Sequence, residues 1–290
     1  MQLGLIGLGR MGGNMRDRLR AAGHEVIGFD QNPALTDVAS LAELAERLAA
    51  PRAIWLMVPV QYTEATVDGL IEVLSPGDIV IDGGNSRFAD DLPRAEKLDR
   101  HGIGYLDVGV SGGVWGRQNG YALMVGGDEQ HVDRLMPIFD ALRPEGEFGF
   151  VHAGPVGAGH YAKMVHNGIE YGLMHAYAEG FELLTASELV TNVPGVFKSW
   201  RDGTVVRSWL LDLLDRALDE DPDLSDLSDY TEDTGEGRWT VDEAVRLAVP
   251  LNVITASLFA RFSSRQDDSP ALKAVAALRQ QFGGHAVRKN

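Results

Sequence analysis

In the stretch LGLIGLGRMGGNM, residues 3–15, an apolar run leads into a glycine-rich turn and then into a helical pattern. The turn contains GxGxxG at the end of the predicted first strand. Glycines at this spacing allow a tight turn, close approach of backbone N–H groups to a pyrophosphate and close helix packing. The helix start adds a dipole that favours an anion. The stretch predicts a dinucleotide site contacted by Gly7, Leu8, Gly9, Met11 and Gly12.

A carboxylate at the end of the second apolar run indicates whether NAD or NADP binds. Asp30 follows VIGF, about twenty residues after the glycines. Its oxygens can accept hydrogen bonds from both ribose hydroxyls of NAD, and its charge would repel the 2′-phosphate of NADP. An aspartate that only shapes the turn before Asn32-Pro33 is the alternative. We expect NAD as the cofactor, with NADP possible but disfavoured.

The rest of the first ~155 residues alternates apolar runs with amphipathic stretches, which is the βαβ rhythm of a Rossmann-like, doubly wound parallel sheet. A later pair of runs, YALMVGG and FGFVHAG, could extend or edge that sheet. After AGPVGAG the pattern is helical only, with helices predicted at 160–187, 204–219, 240–249, 252–265 and 270–281. The expected fold class is an α/β domain, residues 1–156, followed by an all-α C-terminal domain, residues 157–290.

Composition narrows the function classes. A chain of 290 residues fits two domains, and 44% hydrophobic with 23% charged residues is ordinary for a globular protein. The net charge of −16 argues against nucleic acid as a partner, and eleven acids with one arginine lie between Asp212 and Glu236. No apolar run is long enough to predict a membrane span. The absence of cysteine is compatible with the cytoplasm, where we expect the protein.

Three further turns follow predicted strands, and ligands of open α/β sheets bind beyond the carboxyl ends of strands. Val58 and Pro59 end the third strand, and Asn85 lies in DGGNS after the fourth. Asn85 could contact both cofactor and substrate, or simply cap a helix. The turn Ser111-Gly112-Gly113 could cradle a carboxylate with its N–H groups and hydroxyl, or be an ordinary glycine turn.

The stretch KMVHNGIEYG, residues 163–172, places five reactive side chains on one helix face. At about 100° per residue, they fall within an arc of roughly 140°. A face this polar is unusual in a core, although a solvated stripe is the alternative. Two turns, roughly 10 Å, separate the lysine from the glutamate, so the two could reach opposite ends of one small substrate. The residues are Lys163, His166, Asn167, Glu170 and Tyr171.

With these motifs in order along the chain, the sequence resembles the decarboxylating 6-phosphogluconate dehydrogenases. The matching stretches are GLIGLGRMGGNM, DGGNS, DVGVSGG, GHYAKMVHNGIEYG and RQQFGGH. SGG and a helix with the pattern GxGxxxK also occur in the wider β-hydroxyacid dehydrogenase group. HNGIEYG belongs to a narrower set of proteins and points to the 6-phosphogluconate enzymes. The chain is short for the family and resembles its NAD-preferring branch, in agreement with Asp30.

The resemblance implies oxidation of 6-phosphogluconate at C3, loss of CO2 and protonation to ribulose 5-phosphate, a reaction of the pentose phosphate pathway that needs no metal. It implies Lys163 as general base and Glu170 as the acid that protonates the enediol. It also implies self-association through the helical domain, with the C-terminal tail reaching a neighbouring subunit's site. The implied substrate contacts are Asn85, Ser111, Gly112, Gly113, His166, Asn167, Tyr171, Arg261, Arg279 and His285.

Two departures from the family pattern leave the substrate open. Thr234 stands where relatives carry a substrate-contacting lysine, and Val114-Trp115 stands where acidic residues are usual. One alternative is therefore a β-hydroxyacid dehydrogenase for another, unphosphorylated sugar acid. A second, from a different class, is a non-catalytic NAD-binding regulator, against which the presence of both Lys163 and Glu170 speaks.

Overall fold

The computed structural model describes residues 1–283, 286 and 288, without the side chains of residues 282 and 283. Contacts between Cα atoms divide the chain into two units, Met1–Asn167 and Gly168–Asn290. The division falls inside one long helix. Within residues 1–283, no helix combines the length and apolar character that a membrane crossing requires.

The first unit is built on a seven-stranded sheet. Its strand order is β2-β1-β3-β4-β5-β6-β7. Six of the seven strands are buried over most of their length and consist mainly of apolar residues, as expected for strands covered on both faces. The strands are β1 (Gln2–Ile6), β2 (Glu25–Phe29), β3 (Ala53–Leu56), β4 (Ile79–Asp82), β5 (Gly104–Ser111), β6 (Ala122–Gly127) and β7 (Phe150–Gly154).

The late pair of runs does extend the sheet, as predicted, but the sheet is not wholly parallel. β6 runs antiparallel to β5, and β7 is parallel to β6. Antiparallel neighbours can be joined by a short connection, whereas parallel ones need a crossover. Here the connection starts at Gly112 and Gly113, whose φ angles of +145° and +53° favour glycine. The chain therefore reverses directly after Ser111.

Helices cover both faces of this sheet. On one face, Leu3 and Leu5 of β1 join Trp55 of β3 in a cluster with Met15 and Phe139. On the other, alternate strand residues pack with side chains from the second, third and fourth helices. The helices of this unit are α1 (Arg10–Ala21), α2 (Leu41–Arg47), α3 (Val60–Ile71), α4 (Asp91–Asp99), α5 (Gly116–Asn119) and α6 (Glu129–Leu142).

The helical part of the prediction is also confirmed, with one helix missed. α8 begins within the segment TNVPG, where the Asn192 side chain caps the helix by accepting from the Gly195 N–H, and this sequence pattern is equally typical of a turn. In the second unit Phe197, Leu211 and Leu218 form a buried cluster with Tyr177 and Phe181. The helices are α7 (Ala158–Ala186), α8 (Val193–Trp200), α9 (Trp209–Glu220), α10 (Glu236–Leu247), α11 (Asn252–Ser263) and α12 (Pro270–Gly283). The boundary predicted between 156 and 157 stays a prediction.

Candidate active site

The glycine turn after β1 has a separate physical reason for each glycine. Gly7 has φ +90°, and a Cβ there would lie 2.6 Å from the Met57 carbonyl oxygen. A Cβ on Gly12 would lie 1.9 Å from the Gly7 carbonyl oxygen, so this glycine lets α1 start against the turn. A Cβ on Gly9 would meet no protein atom within 4 Å. The fold leaves space at Gly9 that a pyrophosphate on the start of α1 would use.

Asp30 lies beside this turn and braces it. One carboxylate oxygen accepts the Leu8 N–H at 2.6 Å, and the other accepts the Asn32 N–H at 2.8 Å. Asp30 also lines a pocket of about 400 Å³ together with Gly7, Val58 and Pro59. The pocket is mainly apolar, with Ile6, Phe29, Leu41, Tyr62 and Ala65 on its walls. Residues expected from three separate turns to bind the cofactor, namely Gly7, Asp30 and the pair Val58 and Pro59, therefore line one pocket.

The Ser111 turn and the first part of α7 meet at the end of β5. Ser111 Oγ lies 3.3 Å from His166 Nε2, and His166 Nδ1 lies 3.0 Å from the Asn167 side-chain oxygen. Lys163 Nζ donates a short hydrogen bond to the same Asn167 oxygen. All four side chains are half-buried. Gly112 and Gly113 continue from Ser111, so their positions are set by the same turn. These predicted substrate residues form one hydrogen-bonded chain within the first unit.

Close packing of α7 on the sheet places Lys163 there. A Cβ on Gly109 of β5 would lie 2.4 Å from the Lys163 Cβ. A Cβ on Gly159 would lie 2.4 Å from the Met124 carbonyl oxygen. The Asp107 carboxylate accepts the N–H groups of Gly157 at 2.7 Å and His160 at 2.8 Å, and so caps the start of the helix from β5.

Asn85 is exposed in the turn after β4, and its neighbours are anchored below it. The Asp82 carboxylate accepts from Gly84 N–H at 3.0 Å and from Ser86 Oγ at 2.7 Å. A Cβ on Gly84 would lie 2.9 Å from the Val58 carbonyl oxygen, so the turn lies against the end of β3. Asn85 thus presents its amide at the same edge of the sheet as Val58.

Sequence reasoning missed a buried ionic network beneath these turns. Asp91 accepts from His160 Nδ1 at 2.9 Å and from the Tyr105 hydroxyl at 2.8 Å. Arg94 lies 3.2 Å from Asp82 and 3.4 Å from Asp91. The Asp82, Asp91 and His160 side chains are at most 1% exposed. The available signal was an acid inside an apolar strand, Asp82 in IVID and Asp107 in YLDVGV.

The electrostatics of the network favour a charged histidine. Burial alone would lower the pKa of His160, but the hydrogen bond to Asp91 and the charges of Asp91, Asp82 and Asp107 raise it to about 9. Burial raises the pKa of the Asp91 carboxyl, against the opposing effect of His160. One ligand atom each from Asp82, Asp91 and His160 lies within 4.8 Å of the others, a spacing that a metal ion could use. Because the Arg94 guanidinium already supplies positive charge to both carboxylates, we interpret the cluster as an ion network.

In the second unit, Tyr171 and Arg261 are in contact. The Arg261 guanidinium lies 3.5 Å from the centroid of the Tyr171 ring, and its Nη1 donates to the Glu232 carbonyl oxygen at 2.8 Å. Thr234, at the departure from the family pattern, donates to the buried Glu236 carboxylate at 2.6 Å. Val114 and Trp115, at the other departure, are exposed in the first unit.

The remaining predicted residues are more dispersed. Glu170 is half-buried on α7, seven residues after Lys163 on the same continuous helix. Arg279 is exposed on α12. His285 lies outside the described residues. The structure therefore brings the first-unit residues into one group, and within the second unit it brings Tyr171 into contact with Arg261.

A doubly wound sheet with a glycine turn after β1, a carboxylate (Asp30) after β2 and a hydrogen-bonded lysine–asparagine pair at the end of β5 is the arrangement expected of a dinucleotide-dependent dehydrogenase. Residues 2–146 match the model of the NAD binding domain of 6-phosphogluconate dehydrogenase, and residues 159–288 match that of its C-terminal domain. The chain belongs to the 6-phosphogluconate dehydrogenase family.

Individual relatives agree with this assignment. The chain is 45% identical over its whole length, and 99% of the relative's, to an NAD(+)-dependent, decarboxylating 6-phosphogluconate dehydrogenase of Haloferax volcanii. It is 40% identical, over all of both chains, to a putative 6-phosphogluconate dehydrogenase of Bacillus subtilis. Among solved structures, the Plasmodium falciparum 6-phosphogluconate dehydrogenase superposes with a TM-score of 0.83 at 25% identity, covering all of this chain and 66% of that one.

Proposed function

We propose that the protein catalyses the NAD-dependent oxidative decarboxylation of 6-phosphogluconate to ribulose 5-phosphate and CO2. The observation that carries this proposal is the hydrogen-bonded chain Lys163–Asn167–His166–Ser111, in the unit that also holds the glycine turn. The reaction named for the Haloferax volcanii relative supports it.

In this proposal Lys163 is the general base. NAD bound at the glycine turn would accept the hydride that leaves C3 of the substrate. Lys163 Nζ takes the proton of the C3 hydroxyl, which requires the neutral amine at the start. The Asn167 oxygen, which accepts from Nζ, orients the amine without adding a charge. Ser111 and His166 would then hold the substrate at the end of β5.

The second stage uses both ends of the α7 face. The C3 ketone takes up the electrons of the breaking C1–C2 bond, and Lys163 returns its proton to the ketone oxygen as CO2 leaves. The enediol is then protonated on carbon by Glu170, two helical turns or roughly 10 Å beyond Lys163. The two residues therefore divide the proton transfers: Lys163 serves the oxygen on C3, and Glu170 serves the neighbouring carbon, from which CO2 has left.

Cations of the helical unit would bind the phosphate. Arg261 is held by the Tyr171 ring and the Glu232 carbonyl, and its remaining N–H groups match a phosphate's oxygens. Arg279 and His285 would join it from a neighbouring subunit. The support for self-association is α12, whose described side chains, residues 270–281, are all exposed, including Leu272, Val275 and Leu278.

Asp30 supports NAD over NADP, since a 2′-phosphate would stand against a carboxylate that is fixed by two backbone N–H groups. The Plasmodium falciparum structures, by contrast, include a complex with NADP+. A cytoplasmic location remains a prediction from the sequence.

The direct test is incubation of the purified protein with 6-phosphogluconate and either NAD or NADP. We expect NADH, CO2 and ribulose 5-phosphate in equal amounts, and a Lys163→Met variant that is at least 10³-fold slower. Lys198→Met is the matched control, because Lys198 pairs with Asp219 on the surface of the helical unit. Absence of reduced cofactor with both dinucleotides would sink the proposal. Full activity of Lys163→Met would remove the lysine from its role.

A second candidate, an NAD-dependent dehydrogenase for an unphosphorylated sugar acid, is favoured by the hydrogen bond from Thr234 to the buried Glu236. A carboxylate near the position of the family's lysine would suit sugar hydroxyls better than a phosphate. This candidate predicts equal kcat/KM for gluconate and 6-phosphogluconate, and little effect of Arg261→Ala. A non-catalytic NAD-binding regulator would instead bind NAD and turn over no member of a sugar-acid panel.

A further inference from the structure

The buried network links two parts of the candidate site that are far apart in the sequence. Asp82 anchors Gly84 and Ser86 on either side of Asn85. His160 lies in the first turn of α7, three residues before Lys163, which places the two on neighbouring positions of one helix face. Between these ends, contacts run from Asp82 through Arg94 and Asp91 to His160.

His160 has the properties of a fixed internal cation. Its imidazole is 1% exposed, with Nδ1 held by Asp91 at 2.9 Å. The groups facing it come from four elements: Asp82 from β4, Tyr105 and Asp107 from β5, Asp91 and Arg94 from α4, and Glu64 of α3 through Arg94. Three buried carboxylates and one buried guanidinium leave a negative excess that a second cation partly offsets.

A buried ion pair of this kind is weak evidence for stability, because desolvation offsets most of the attraction. It is better suited to defining one arrangement of the groups it connects. His160 Nε2 is buried and has no hydrogen-bonding partner among the described residues, so only Nδ1, through Asp91, orients the ring. The ring therefore has one charged, directional contact, and that contact leads to the Asn85 turn.

We propose that His160 is a positioning residue, which as a buried imidazolium bound to Asp91 sets the start of α7, and with it Lys163, against the Asn85 turn. Its charge also offsets part of the surrounding negative charge, which would otherwise favour the protonated form of the Lys163 amine. The proposal rests on the proposed role of Lys163. In addition, the network determines how well Lys163 is aligned and which charge state its amine has before substrate binds.

The kinetic test compares His160→Gln and Asp91→Asn with the wild type. We expect kcat to fall at least tenfold in both, with KM for NAD within twofold, since the Asp30 pocket is untouched. His160→Gln removes one positive charge near Lys163 and so favours the protonated amine. The acidic limb of the pH profile of kcat/KM therefore moves to higher pH. Asp91→Asn removes a negative charge and releases the histidine's proton together, so that limb stays in place.

Asp78→Asn is the matched control for a purely structural effect. Asp78 is a fully buried carboxylate of the same unit, paired with Arg52 at 3.0 Å before β3 and β4 rather than after them. We expect this variant to lose thermal stability and keep its kcat. A kcat within twofold of wild type in His160→Gln would overturn the inference.

The charge state is tested on the intact wild-type protein, without relying on activity. Ring ¹⁵N–¹³C NMR spectra of labelled histidine, assigned by the signal missing in His160→Gln, should show an imidazolium at pH 8. A neutral His160 ring at pH 8 would refute the inference while leaving the proposed reaction intact. Conversely, an active Lys163→Met variant would remove the base and leave the imidazolium unchanged, so the two failures are separable.

Discussion

At the residue scale, the Asp30 carboxylate has two backbone partners and also lines the pocket that we propose for the cofactor. Each oxygen already accepts one N–H, from Leu8 or from Asn32. A carboxylate oxygen can accept more than one hydrogen bond, so both can still meet ribose hydroxyls. The negative charge, rather than the count of acceptors, is what opposes a 2′-phosphate.

Asp30→Asn should therefore shift cofactor choice. The amide keeps one acceptor oxygen for the turn and removes the charge, so we expect KM for NADP to fall about tenfold and KM for NAD to rise a few-fold. Initial rates with each dinucleotide measure both. Asp37→Asn is the control, because Asp37 braces Gly28 and Arg20 at the same end of the sheet. If the ratio of the KM values for NADP and NAD is unchanged in Asp30→Asn, the role given to Asp30 is contradicted.

His160 makes stability depend on pH in a predictable direction. Its folded-state pKa of about 9 lies above the ordinary 6.5, so its contribution is complete below pH 6.5 and is lost as pH rises through 9. We expect the free energy of unfolding to fall between those values by on the order of 1–3 kcal/mol. Urea denaturation at closely spaced pH values measures it. His160→Gln should lack this slope, and an equal slope in both proteins would argue against a charged His160.

At the element scale, α7 depends on glycines to approach the sheet. Gly109→Ala would place a methyl group 2.4 Å from Lys163 Cβ and 2.8 Å from the Gly159 carbonyl oxygen. We expect a loss of about 1–3 kcal/mol in unfolding free energy and a kcat at least tenfold lower, because the helix must move away. Chemical denaturation and steady-state kinetics measure the two effects.

Gly180→Ala is the control for Gly109→Ala. Gly180 lies on the same helix, and a Cβ there meets nothing within 4 Å. We expect a gain of about 0.5–1 kcal/mol from helix propensity and an unchanged kcat. If both variants lose activity equally, any glycine substitution in or under α7 lowers kcat. The loss in Gly109→Ala would then not be explained by displacement of Lys163.

The segment before α10 is held by a second ionic cluster. The Asp233 side chain, 3% exposed, accepts from Arg238 at 2.7 Å and from Arg265 at 2.9 Å. Both guanidinium groups lie over the Phe262 ring. The hydrogen bonds from Arg238 and then Arg265 lower the pKa of Asp233, against the effect of burial. This cluster orders the backbone that gives Arg261 its Glu232 partner.

Asp233→Asn should therefore weaken substrate binding more than turnover. We expect KM for 6-phosphogluconate to rise about tenfold and kcat to change less than threefold, because the variant weakens only the support of Arg261, which we propose binds the phosphate. Asp219→Asn, which breaks an exposed pair with Lys198, should change neither. An unchanged KM in Asp233→Asn would show that Arg261 does not depend on this segment.

At the scale of the whole molecule, a chain of net charge −16 is proposed to bind a doubly charged phosphate. The negative charge of the protein would repel this phosphate unless cations lie close to it. Two subunits can supply these cations, Arg261 from one chain and Arg279 from the other. The exposed face of α12 suits such an exchange, because no described side chain of residues 270–281 is covered.

Subunit complementation tests the exchange. Lys163→Met and Arg279→Ala should each be strongly impaired alone. Mixed by co-refolding in equal amounts as dimers, they should recover about one quarter of wild-type sites, because half the dimers are mixed and each has one intact site. Rates at saturating substrate, with sedimentation to count subunits, measure the recovery. Activity no greater than the sum of the two parents would place Arg279 outside the neighbouring site.

Local patterns explain how much could be predicted. Buried strands are continuous apolar runs, so the strands of the sheet were evident, and the 3.6-residue period placed the five reactive groups of KMVHNGIEYG on one face. The direction of β6 could not be predicted, because a strand's apolar pattern is the same whichever way it runs. α8 was missed because its cap and proline also fit a turn.

The amino-acid sequence by itself determined the order of the strands and of the helices other than α8, the dinucleotide turn and the choice of reactive groups, because each rests on spacing within one short segment. Only the tertiary structure decided that Ser111 meets His166, that Gly109 lies under Lys163, and that His160 shares a buried network with Asp82 and Asp91. The residues in direct contact are up to 69 positions apart, as in the hydrogen bond between His160 and Asp91. Whether such side chains meet depends on how helices and strands pack in three dimensions, which no single segment encodes.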